Sequence, residues 1–233
     1  MSSPTGDTPS STAQPLAPEE YPWAPTDRQG VLVGAAFTPS EAIDADLRTI
    51  GAAPLADRHA VIAVGSNASP HVMHRKLSRH GLDGALPMTI RLVSGIGVGH
   101  SAHVSLPGYI ATAPYRCSHC RHRLVVLHLD DQQLDAVDAT EPNYDRVRHD
   151  DAWLYASRWQ VLAARGVPIT ARSQPDLHDV LRSTDPVWRD RFAGMSAAEV
   201  SAALAHDGTV GEWRHRWMDV GLTRNAGFSP HGD

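Results

Sequence analysis

VIAVGSNASP, residues 61–70, runs a short apolar segment into a Gly-Ser-Asn triplet and then offers Ser-Pro. The segment begins at His59 and Ala60, is rich in Ala and β-branched residues, and by its length predicts an interior strand rather than a helix. Gly and Asn tolerate positive φ and Ser can bond locally, so the strand ends at the triplet. Ser69 and Pro70 then open a helix through SPHVMHRKLSRHG, closed by Gly81. The triplet has two readings: a plain turn, or a small loop whose N–H groups lie at the start of a helix and favour an anion.

Working outward, FTPSEAIDADLRTIG (residues 37–51) predicts another helix, with Thr38 as cap, Pro39 at the first helical position, Glu41 completing a capping box and Gly51 as the stop. Residues 1–25 are rich in Ser, Thr, Pro and Ala, have little to bury, and read as a mobile leader. Downstream, residues 87–113 mix β-branched residues with Gly and Pro, predicting several strands with bends. RLVVLHLDD continues in strand character, and Asp130 with Gln133 forms a capping box that starts a helix through DQQLDAVDA. DAWLYASRWQVL predicts strand again, with a turn at Gly166 and Pro168. From Pro175 onward the pattern is of short helices broken at Asp185-Pro186, Gly194 and Gly208, with Trp213 and Trp217 one helical turn apart as core residues. The expected organisation is therefore a leader (1–25), an α+β core (26–170) and a helical extension (171–233) packed on that core.

With 233 residues the chain can bury a sizeable core, and its two cysteines make no disulfide framework, so burial must supply the stability. A net charge of -5 with scattered Lys and Arg excludes an electrostatic footprint for nucleic acid, so the expected partner is a small molecule or a protein. No apolar run approaches the length that spans a bilayer, and the start has neither a basic region nor an apolar signal core, so the expected setting is cytoplasmic without a membrane partner. The sequence sets no oligomeric state.

Two places offer chemistry. Glu141, in TEPNY, follows a predicted helix and precedes Pro142, which turns it away from helical geometry. There it is either a solvated end residue or a carboxyl group aimed into a cleft for general acid and base work. YRCSHCRHRLVVLH gathers Cys117, His119, Cys120, His122 and His128, with His100 and His103 upstream. A Cys-x-x-Cys pair is half of a common zinc site, but no second pair exists, and the reading preferred here is a basic, polar turn between two strands, with no metal. His71 and His74, spaced i and i+3, are expected on an exposed or partly buried helix face.

Three pieces, VGSN at Val64–Asn67, GYIATAP at Gly108–Pro114 and LDAVDATEPNYDR at Leu134–Arg146, stand in an order and spacing that resembles the gamma-glutamylcyclotransferase-like family, over about residues 61–161. The resemblance implies an α+β fold around a small mixed β-barrel with flanking helices, acting without a cofactor on γ-glutamyl amides to release 5-oxoproline and an amine. It implies that the backbone of Gly65, Ser66 and Asn67 holds the substrate's α-carboxylate with Val64 also at the substrate, that Glu141 transfers the proton, and that Tyr144 lines the pocket or hydrogen-bonds near Glu141. Val64 stands where the family commonly has an aromatic residue, and Pro142 where it usually has Gly. The family's Arg early in the following helix has no clean counterpart, although Arg75 and Lys76 lie a little further on. Two other readings go with the same residues: a non-catalytic module binding a carboxylate or peptide, and a metal-stabilised interaction protein built on Cys117–His122.

Overall fold

The computed structural model describes residues 16–206 and 210–228. Its organising element is a long hairpin, β4 (Leu86–Val104) and β5 (Ile110–Leu129), paired from Met88↔Leu127 to Val104↔Ile110. Two register shifts, at Gly95 and between His100 and Val104, bend the hairpin so that its two halves serve different neighbours. The first half pairs β5 with β3 (His59–Ala63), the strand anticipated from residues 61–64, and β4 with β1 (Gly30–Val33). Beside β3, in parallel, lies β7 (Ala152–Ser157), antiparallel to β6 (Tyr144–His149). The second half meets β8 (Val161–Ala164), which also pairs with β9 (Val167–Pro168) and with β10 (Thr223–Arg224).

The result is an α+β fold with a large mixed sheet, ordered β10-β8-β4-β5-β3-β7-β6 among the described residues. The end strands β10 and β6 do not pair with each other, so the sheet is not closed into the expected barrel. The physical reason lies in the bent hairpin: each half is covered by its own apolar cluster, which opens the two ends of the sheet away from each other. One cluster packs β3 and the near half of β4 and β5 against α2 (Pro70–Ser78) and α3 (Asp131–Ala139), around Met73, Leu86, Leu127 and Val137. The other packs the far half against α4 (Gln174–Thr184), α5 (Pro186–Arg191), α6 (Ala197–His206) and α7 (Val210–Asp219), around Trp188, Trp213 and Trp217. The break between α4 and α5 falls at Asp185-Pro186, where the sequence anticipates it; Gly208 lies outside the described residues. Among the described residues no helix is long and apolar enough to cross a membrane.

Local sequence accounts for some boundaries and not others. Ser69 caps α2 and Pro70 fills its first position; Asp130 and Gln133 form the reciprocal capping box of α3. The capping box expected at Thr38 and Glu41 is absent, because Ala36–Pro39 is a strand, β2, in a hairpin with β1. The helix after it, α1 (Ile43–Thr49), starts later and ends before Gly51, whose φ is 68°. The Cys117–Cys120 stretch is not a turn between strands either. It is a four-residue bulge inside β5, facing Gly95 across the register shift, and the two cysteines form a disulfide.

Candidate functional site

A cavity of about 540 Å³ opens between the two halves of the molecule. Its floor is the end of β3 and the triplet that follows. Gly65 lies just past the end of that strand, and Ser66–Ala68 make a single 3-10 turn that feeds Ser69 into α2. Gly65 is required by close approach: a Cβ there would collide with the Thr112 hydroxyl and the Tyr21 hydroxyl.

Glu141 reaches the same cavity from the far end of α3. Its amide donates to Asp138 and its carbonyl accepts from Tyr144, so Glu141–Tyr144 is a tight turn beyond the helix. Arg158 secures that turn, donating to the Pro142 carbonyl at 3.0 Å and to Asp145 at 2.8 Å, while the Trp159 indole N–H donates to Asn143 at 2.9 Å. The Glu141 Oε1 accepts from Asn67 Nδ2 at 3.0 Å and from Lys76 Nζ at 2.6 Å, and Lys76 also donates to Asn67 Oδ1 at 2.8 Å. The side chains of Lys76 and Glu141 are only 15 and 13% exposed. A carboxylate, an ammonium and an amide thus form a closed triangle in a partly buried site, where such bonds are stronger than in water.

Val64, Gly65, Ser66, Asn67, Glu141 and Tyr144, separated by up to 80 residues in the chain, all line this one cavity. Tyr144 donates its hydroxyl to the Thr112 carbonyl at 3.0 Å, and burial pushes its phenol well above the ordinary range. The loop amides are not bare in the way the sequence reading pictures them, because the Tyr21 hydroxyl, bonded to Thr112 Oγ1 at 2.8 Å and to the Thr112 amide at 3.0 Å, also lies against the Ser66 backbone.

Several lining residues are not among those that the resemblance places at the substrate. Tyr21 and Trp23 come from the stretch read as a mobile leader. Tyr21 is 4% exposed, and the Thr26 amide bonds the Ala68 carbonyl, so residues 16–26 pack across the cavity instead of trailing away; residues 1–15 lie outside the described residues. Tyr109 stacks on Tyr21 with ring centroids 4.5 Å apart. Arg75 and Lys76 of α2, and Arg79 just past its end, contribute positive charge. Nothing in the sequence singles out Lys76 from the other basic residues near it. His103 also lines the cavity; its ring stands edge-on to Tyr144, its Nδ1 bonds the Ser101 hydroxyl, and burial pushes it down to about 4, so it is neutral near pH 7.

As for metals, the one cluster of three or more ligating groups among the described residues is Cys117, His119 and Cys120, whose ligand atoms lie within 4.8 Å of one another. His100 and His103 do not join it, and the disulfide occupies both sulfurs. No family model matches the chain, and neither a curated protein nor a solved structure matches it.

Proposed function

We propose that the chain is a gamma-glutamylcyclotransferase-like enzyme, converting a γ-glutamyl amide to 5-oxoproline and a free amine. The observation that carries this reading is the meeting of Glu141 with the Gly65–Asn67 turn: they are 74 residues apart at Asn67, yet Asn67 donates directly to the Glu141 carboxylate. Arg75, Lys76 and Arg79 around the same cavity favour an anionic group, as the substrate's α-carboxylate would be.

In this mechanism the substrate's α-amino nitrogen attacks its own γ-carbonyl carbon, a C–N bond closes the five-membered ring, and the amide C–N bond breaks. Glu141 accepts the proton that the attacking nitrogen loses and returns it to the departing nitrogen. The Glu141 carboxyl group lies 2.6 Å from the Lys76 nitrogen. Ring closure between two groups of one molecule gains greatly from orientation, so holding the α-carboxylate at the triplet contributes directly to rate. The barrel belongs to this proposal as the family's architecture, whereas the sheet here is open.

Glu141→Gln is expected to keep the fold and abolish 5-oxoproline release from γ-glutamyl amides, measured by chromatography beside a thermal melt. A folded variant with unchanged turnover removes Glu141 from the mechanism. The second reading, a carboxylate-binding module without catalysis, is favoured by one feature: Lys76 and Asn67 both already hold the Glu141 oxygen that would take the proton. Such a module would melt higher with a γ-glutamyl amide present but yield no product.

A further inference from the structure

The cavity is chemically two-sided. Its polar part holds the triplet, Glu141 and the basic residues of α2, all of which a γ-glutamyl group would occupy. At about 540 Å³ the whole falls in the range that encloses a drug-sized ligand, more than a five-carbon glutamyl group fills. The same cavity is also lined by Leu16, Tyr21, Trp23, Leu106, Pro107 and Tyr109.

The polar atoms of two of these rings are already engaged. The Tyr21 hydroxyl is held by Thr112, and the Trp23 indole N–H donates to the Ala17 carbonyl at 2.6 Å. Trp23 stands edge-on to both Tyr21 and Tyr109, at 5.1 and 5.0 Å between centroids, so the three rings brace one another. Leu106, beside them in the β4–β5 connection, is an apolar side chain left 80% exposed by the described residues. A cationic tail is disfavoured, because Arg75, Lys76 and Arg79 line the same cavity and the stacked faces of Tyr21 and Tyr109 are turned to each other.

Resting on the proposed reaction, we infer that the group leaving from the γ-glutamyl amide is an apolar, aromatic amine, recognised by the Tyr21–Trp23–Tyr109 cluster. The departing nitrogen would lie at Glu141 and its ring would pack on the outside of the braced cluster, against the partly exposed Trp23 and Tyr109 and beside Leu106. Discrimination then comes from area removed from water, which for a benzyl against a methyl group amounts to tenfold or more in affinity.

The test separates recognition from chemistry. Glutaric acid monobenzylamide keeps the carboxylate and the amide but has no α-amine, so it cannot cyclise. Its affinity for the wild-type chain is measured by titration calorimetry against the monomethylamide and the mono(2-aminoethyl)amide. The benzylamide is expected to bind at least tenfold tighter than either, and Trp23→Ala to narrow that ratio. Equal affinities, tightest binding of the aminoethyl compound, no binding of any probe at millimolar concentration, or an unchanged ratio in Trp23→Ala would each overturn the inference. Release of 5-oxoproline from γ-glutamyl-benzylamine is followed separately: its absence alongside selective binding upholds the aromatic subsite and overturns the reaction.

Discussion

Gly65 shows how tightly the site is built around single atoms. A methyl group there must push aside both the Thr112 and Tyr21 hydroxyls, which bond each other at 2.8 Å. Gly65→Ala is therefore expected to destabilise the fold by about 2 kcal/mol, as overpacking of a filled interior does. The loss should be smaller in a Tyr21→Phe background, where one of the two obstacles is gone; urea unfolding of the four proteins measures both effects, and equal losses would show that Tyr21 is not what the methyl meets. The triplet and Glu141 were legible in the sequence because each sits at a local punctuation mark, a strand end or an X-Pro break. Lys76 and Tyr21 were not. Lys76 lies among other basic residues of α2, and Tyr21 finds Thr112 across 91 positions from a Pro- and Ala-rich stretch that carries no periodicity of its own.

Among the elements, those governed by local chemistry were readable and those governed by pairing were not. The α3 capping box is complete within four residues, whereas Thr38 and Glu41 carry the same kind of signal and are overruled. Val31 and Leu32 of β1 are buried and pair with Pro87 and Leu86, and that strand recruits Ala36–Pro39 as its hairpin partner. The Cys117–Cys120 bulge was hidden for a similar reason, since only the register against β4 reveals that the strand continues on both sides. In the helical region the decisive cap is Asp185. It accepts from the Val187 amide at the start of α5 and holds the Arg216 guanidinium of α7 through both oxygens, with its own side chain fully buried. Arg216 and the Val187 amide hold the Asp185 carboxyl below the usual range despite the opposing effect of burial. Asp185→Ala is expected to cost about 3 kcal/mol, because it strips a helix cap and leaves Arg216 without its anion. A fall in the thermal midpoint checks this, and an unchanged midpoint would mean that α5 and α7 are held by their tryptophans alone.

At the scale of the whole molecule, four histidines among the described residues sit where protonation is penalised. Burial pushes His100 down to about 3 and His103, His128 and His178 down to about 4. Below the ordinary histidine range near 6.5 the unfolded chain therefore binds more protons than the folded one, and stability falls as pH falls from about 6.5 toward 4. The slope reaches up to about 1.4 kcal/mol per pH unit for each histidine, so the urea midpoint should drop clearly between pH 7.5 and pH 5. A midpoint that stays level over that interval would mean these imidazoles are solvated. The α+β class was legible from the alternation of strand and helix signals, but sheet closure was not, because the bends at Gly95 and beyond His100 depend on which neighbours each half of the hairpin meets. The distance that separates Asn67 from Glu141, and Tyr21 from Thr112, has a temporal meaning as well. A nascent chain emerging from the ribosome carries the Gly-Ser-Asn triplet well before Glu141 has been made, so the bond between Asn67 and Glu141 waits for the 74 residues that separate them.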